Sequence, residues 1–259
     1  MLLAIDIGNT NIDVGIFKGK DLYVNWHLAT DTNKSSDEYA VILLSLLREL
    51  ERKSSDIEEA VICSVSPSLV PTFKELCRQY FKIAPLVVEA GIKTGVSILM
   101  DNPREVGPDR IVNAVGGHDL YGGPLIVIDM GNATTFDVVS EKGDYLGGAI
   151  APGIKIATEA LFQRTARLPS VELIRPKHAI GRDTITAMQS GLVFGYVGLI
   201  EGIVSRIQQE LGAKAKVIAT GGYSDLLANE TKVIEIVDPY LTLVGLRIIH
   251  ERNLGQKYV

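Results

Sequence analysis

The sequence predicts an α/β protein made of two copies of one unit, each a mixed β-sheet flanked by helices. Three observations carry this. Leu125-Ile126-Val127-Ile128-Asp129-Met130-Gly131-Asn132 repeats Leu2-Leu3-Ala4-Ile5-Asp6-Ile7-Gly8-Asn9 at an offset of 123 residues. After each copy, short apolar runs alternate with segments of helical period. The composition, 46% apolar and 22% charged, is that of a chain that buries a core. At about 150 residues per domain, the 259 residues suit two small domains. The repeat sets them at residues 1–118 and 119–259, with the C-terminal helix expected to pack back near the boundary.

The elements follow in order. Leu2 to Ile5 is a continuous apolar run, as in a strand buried on both faces, and Asp6 to Asn11 is a turn. Ile12, Val14 and Ile16 alternate with polar or small residues. Lys18-Gly19-Lys20-Asp21 turns the chain into a third strand, Leu22 to Leu28, completing an antiparallel meander. Ser36-Asp37-Glu38 opens a helix with Tyr39, Leu43, Leu46, Leu47 and Leu50 at helical spacing. A strand at Ala60 to Ser64, a helix from Pro67, a strand at Pro85 to Glu89 and a helix from Pro108 complete the first unit. The second copy repeats the meander, with strands at Phe136 to Val139 and Tyr145 to Ile150. Helices at 152–164 and 183–211, strands at 216–219 and 233–237, and a helix from Pro239 follow.

Charge and residue usage exclude several classes. The chain carries 26 basic and 31 acidic side chains, a net charge of -5, and has no Lys/Arg-rich run. A nucleic-acid surface needs clustered positive charge, and a basic membrane-surface helix is equally absent. The amino terminus reaches Asp6 after one short apolar run, unlike a signal peptide, and no uncharged apolar segment reaches bilayer-spanning length. The expected location is the cytoplasm. Cys63 and Cys77 sit in apolar or amphipathic segments, as buried free thiols do. With four scattered His and no Cys-x-x-Cys, no zinc site is expected.

The repeated turns carry the chemistry. A strand ending in Asp-x-Gly-Asn places a carboxylate at the strand tip, and its glycine lets backbone N–H groups approach an anion. Two such turns facing each other across a cleft between the domains suit a nucleotide triphosphate with a divalent cation. Thr220-Gly221-Gly222, after a strand, would let backbone lie flat against a purine or ribose. The P-loop pattern GxxxxGK[ST] and the GxGxxG pattern are both missing. In Gly107-Pro108-Asp109-Arg110, Pro108 suits the first helical turn. Asp109 then stands at a helix N-terminus, where the macrodipole favours the ionised carboxylate that can act as a base.

These motifs resemble the type III pantothenate kinases of the acetate and sugar kinase/Hsp70/actin superfamily, a family related to the Bvg accessory factor. The resemblance covers essentially the whole chain. It rests on Asp6-Ile7-Gly8-Asn9-Thr10-Asn11 with Gly15, on Asn102-Pro103 through Gly107-Pro108-Asp109-Arg110, and on Asp129-Met130-Gly131-Asn132-Ala133-Thr134-Thr135. Gly147 to Gly153, Thr184 with Gln189-Ser190-Gly191, and Thr220-Gly221-Gly222 add to it. It implies duplicated ribonuclease H-like, actin-like ATPase domains in a homodimer. The implied reaction is phosphorylation of the primary hydroxyl of pantothenate by ATP with Mg²⁺ and a monovalent cation, K⁺ or NH₄⁺, as the first step of coenzyme A synthesis.

By the same resemblance, Asp6, Ile7, Gly8, Asn9, Thr10, Asn11, Ile12 and Asp13 form the first phosphate loop, with Asp6 organising Mg²⁺ through phosphates or water. Asp109 is the proton acceptor. Met100 and Gly107, Pro108, Asp109 and Arg110 form the pantothenate site, and Thr184 reaches it from across the dimer. Asp129 holds the monovalent cation, and Asn132 touches ATP. The chain departs from the family's usual residues at Pro108, where Ala is usual, at Asn132, where Thr is usual, and at Met100, where Tyr commonly precedes Asn-Pro. Two alternatives stand beside this reading. One is another phosphotransferase or phosphatase of the superfamily, acting on a sugar, acetate or polyphosphate; the other is a catalytically silent nucleotide-binding regulator.

Overall fold

The computed structural model describes residues 1–254. Strands β1 (Leu2–Ile7), β2 (Asn11–Lys18) and β3 (Asp21–Ala29) form an antiparallel meander. β1 also pairs in parallel with β4 (Glu59–Ser64), which pairs in parallel with β5 (Leu86–Val87), giving the order β3-β2-β1-β4-β5. The second copy builds β6 (Leu125–Met130), β7 (Ala133–Val139), β8 (Tyr145–Pro152), β9 (Lys216–Thr220) and β10 (Ile236–Val237) into the order β10-β9-β6-β7-β8. The connectivity is the same, so the repeated sequence is a repeated fold. β1 and β6 are the central strands of their sheets, which accounts for their unbroken apolar runs.

The chain divides into two compact units. One comprises Met1–Val96, Asn102–Gly116 and the described residues from Leu241; the other comprises Ser97–Asp101 and Gly117–Tyr240. Relative to a plain division at residue 118, the boundary moves to Gly117 and two further segments change sides. The C-terminal helix α7 (Leu241–Arg252) joins the first unit through its apolar face, and Ser97–Asp101 joins the second by pairing with β8.

In the first unit, strand parity sends Leu3, Ile5 and Ile7 to one face. There they meet Tyr39 and Leu43 of α1 (Ser36–Glu49) and Phe73 of α2 (Val70–Leu76). Ser35 and Glu38 close α1 with reciprocal capping bonds. Leu2 and Ala4 point to the other face, onto Val112 and Val115 of α3 (Pro108–Tyr121) and Leu243, Leu246 and Ile249 of α7. The α3 and α7 backbones approach closely here. A Cβ on Gly245 would stand 2.2 Å from the Val112 carbonyl oxygen, so no larger residue fits without separating the helices.

In the second unit, Ile126, Ile128, Met130 and Phe136 pack against Val193, Val197, Ile200 and Val204 of α5 (Thr184–Leu211). Helices α4 (Ile154–Arg164) and α6 (Ser224–Ala228) complete this unit. α5 is the one helix among the described residues long and apolar enough to cross a membrane, and half of its most apolar window is buried within the fold. The expected strand over 233–237 contracts to the two residues of β10. Its flanks are still held by Glu235 N–H to Val217 O at 2.9 Å and Asp238 N–H to Ala219 O at 2.8 Å. Both cysteines are free and buried.

Candidate active site

Parity also decides where the first carboxylate points. Asp6 follows Leu2 and Ala4 on the face that packs α3 and α7, and in the parallel register it stands beside Cys63 of β4. Asp109, in the N-terminal turn of α3, is close enough for its charge to be felt at the same thiol. Burial pushes the Cys63 thiol well above its ordinary value, and the Asp6 and Asp109 carboxylates push it further the same way. Cys63 is therefore a neutral S–H, hydrogen-bonded to the Asp6 carboxylate. Its place in an apolar run marked only a core thiol; the parallel pairing of β1 and β4 reveals its neighbours.

Asp109 is half-buried, and burial raises its carboxyl above the usual range against the opposing pull of the Arg110 amide and guanidinium. Pro108 loses nothing by lacking an N–H at this helix start. The Gly107 carbonyl accepts from the Arg110 and Ile111 amides at 3.2 and 3.3 Å. A Cβ on Gly107 would lie 2.4 Å from Asp109 Oδ1, so a larger residue there would have to push the carboxylate aside.

The first repeated turn is closed by Gly8 N–H to Asn11 O at 2.9 Å and braced by the Thr30 hydroxyl on Gly8 O at 2.8 Å. Asn9, Thr10 and Asn11 are exposed on it. Asp6 and Asp13 stand directly opposite in the β1–β2 register, hence on one face. Two carboxylates so placed repel. His27, opposite Asp13 on β3, is hydrogen-bonded to Asp13 through Nδ1. The two facing carboxylates suit a cation arriving with phosphates.

In the second unit, the tip of β6 carries Asp129, paired with Thr135 of β7 and Thr220 of β9. Gly221, at φ 89°, presses against it; a Cβ there would lie 2.8 Å from Asp129 Oδ1. The Asn132 carbonyl accepts from Gly153 N–H at 2.9 Å, and a Cβ on Gly153 would lie 2.3 Å from that oxygen. Gly153 is the N-cap of α4, so the turn abuts a helix N-terminus, a place for negative charge. Met100 lies beside Gly147 of β8, and exposed Thr184 opens α5 after its N-cap Asp183. Among the described residues, no group of three or more His, Cys, Asp or Glu side chains is placed to hold a metal ion by itself.

Duplicated sheets of this connectivity, each with an Asp-x-Gly-Asn hairpin at the tip of its central strand, form a duplicated actin-like α/β fold. A family model for type III pantothenate kinases matches residues 2–206. The chain is 53% identical over 252 residues to a type III pantothenate kinase of Dehalococcoides mccartyi strain CBDB1, covering 97% of this chain and 96% of that one. Among solved structures, it resembles a conserved putative Baf family transcriptional activator from Campylobacter jejuni, with TM-score 0.62, 24% identity and coverage of 98% and 100% of the two chains. It also resembles a putative 2-dehydro-3-deoxygalactonokinase from Sinorhizobium meliloti, with TM-score 0.59, 12% identity and coverage of 100% and 99%. These two likenesses concern the fold. The chain belongs to the type III pantothenate kinase family, and its activity is the phosphorylation of pantothenate, with ATP as the other substrate.

Proposed function

We propose that the pantothenate primary hydroxyl attacks the γ-phosphorus of ATP while Asp109 takes the hydroxyl proton, releasing ADP and 4'-phosphopantothenate, the first intermediate toward coenzyme A. The observation that carries this is the half-buried Asp109 carboxylate at the start of α3, on the sheet face that bears Asp6. A carboxyl raised by burial is a better proton acceptor than an ordinary one. Phosphoryl transfer through a loose transition state asks mainly for positioning and charge neutralisation. Residues 6–13 cradle phosphates and Asn132 contacts the nucleotide. Met100, Gly107, Pro108 and Arg110 hold pantothenate.

The facing Asp6 and Asp13 carboxylates would hold a hydrated Mg²⁺ that accompanies the nucleotide. When bound, it neutralises charge on the transferring group. Asp129, with the Gly221 backbone against it, fits a monovalent cation, K⁺ or NH₄⁺. We assign the protein to the cytoplasm and give it no nucleic-acid or membrane partner. ADP release, coupled to an indicator reaction, is expected to depend on pantothenate and to be faster in K⁺ than in Na⁺. Nucleotide binding without pantothenate-dependent release would instead mark a silent regulator.

The same reading includes a homodimer in which Thr184 reaches the partner's pantothenate. α5 carries Gly191, Gly195, Gly198 and Gly202 along one side, and added Cβ atoms at the first three would meet nothing within 4 Å. Each glycine inside a helix costs about 1 kcal/mol relative to Ala. A stripe of four is explained if a second helix packs closely there. Ile150, Phe162, Ile180 and Ile185, in the same unit, are also exposed, Ile180 to 83%. Gly195→Leu is expected to yield monomers by sedimentation and to lose pantothenate turnover. A stable, fully active variant would show that this face is free.

A further inference from the structure

Asp137 is a wholly buried carboxylate in the middle of β7. Neighbouring Phe136 faces the second core, so Asp137 faces the opposite side of the sheet, in register with Val127 and two residues from Thr135, which pairs with Asp129. A buried carboxylate is costly unless its oxygens are satisfied. Here the Tyr145 hydroxyl donates to Oδ1 at 2.7 Å and the Thr135 hydroxyl to Oδ2 at 3.0 Å. Tyr145 is itself fully buried. Its backbone carries the segment ahead of Met100: Tyr145 N–H donates to Ser97 O, and Leu99 N–H to Tyr145 O, both at 2.8 Å. Met100 then lies over Gly147, two residues along β8 from Tyr145, where a Cβ would stand 3.9 Å from Met100 Cγ.

We propose that Asp137 is a positioning residue for pantothenate binding: by accepting from Tyr145 and Thr135 at once, it fixes the segment bearing Met100 relative to the strand end bearing Asp129. A hydroxyl has one proton to give. With both protons committed to one buried carboxylate, the Tyr145 ring and the Thr135 side chain each keep one orientation, and residues 97–100 inherit theirs from Tyr145. Networks of this kind specify a unique arrangement when fully satisfied. The inference rests on Met100 contacting pantothenate.

Tyr145→Phe keeps the ring and removes the donor. It is expected to raise the pantothenate KM about five- to tenfold, the scale of one typical net hydrogen bond, with kcat and the ATP KM within about twofold. Pantothenate binding by calorimetry should weaken in parallel, and the effect should vanish in a Met100→Ala background. Thr135→Val repeats the test from the other oxygen, so the proposal stays decidable even if Asp137→Asn does not fold. A lowered melting temperature with unchanged pantothenate KM in both variants overturns the proposal. If Met100→Ala alone leaves pantothenate affinity unchanged, the reading of Met100 falls and the proposal with it. If Met100→Ala weakens binding while Tyr145→Phe does not, only the proposal falls.

Discussion

Asp109→Asn is expected to lower kcat by roughly 10² to 10⁴, the contribution typical of a general base, while the variant melts at or above the wild-type temperature. Asn fills the same space and still accepts a hydrogen bond, but it cannot take the hydroxyl proton. The stability half follows from the direction of the carboxyl shift. Burial holds the folded-state value above that of the unfolded chain, so between the two values the folded protein binds more protons. Stability therefore falls as pH rises through that window, because the ionised group carries its burial penalty in the folded state. Removing the charge removes that penalty. In the wild type, kcat/KM should fall on the acid side at a pH above the ordinary aspartate value of about 3.9. Calorimetric binding of ATP and pantothenate should survive the substitution. A variant keeping more than about a tenth of wild-type kcat would rule out the base role, given the size of such effects.

Most of the fold can be read from the sequence because its signals are local. The Asp-x-Gly-Asn repeat announces the duplication, and unbroken apolar runs mark β1 and β6 as central strands. Pro108 and the Ser35–Glu38 box start their helices where helix chemistry says they should. The unread parts are those set by pairing between distant segments. Nothing near residue 63 says that its thiol will stand beside Asp6; the parallel register of β1 and β4 decides that. Tyr145 and Asp137 are eight residues apart on adjacent strands, and a polar residue between Phe136 and Val138 was the one available hint of a buried network. Ser97–Asp101 joins the second unit through a single bridge to Tyr145, which no periodicity encodes.

Asp6→Asn should separate charge from shape at the tip of the first repeated strand. Asp6 faces Asp13 directly across the β1–β2 ladder and receives the Cys63 thiol from β4. Asn can still accept from that thiol, so the local packing survives. What disappears is one member of a like-charged cross-strand pair, whose repulsion costs about 0.2 to 1 kcal/mol. The variant should therefore melt at or slightly above the wild-type temperature. Its turnover should fall by about 10² or more, the loss seen when a preorganised electrostatic group is removed from a transition state. If Asp6 organises Mg²⁺ on the nucleotide, the Mg²⁺ concentration needed for half-maximal activity should also rise, because one remaining carboxylate binds a hydrated divalent ion more weakly than two. Asp13→Asn should show the same direction with a smaller effect, since one oxygen of Asp13 is already engaged by His27. Near-normal turnover and an unshifted Mg²⁺ requirement in Asp6→Asn would remove Asp6 from the site and leave its position opposite Asp13 without a functional account.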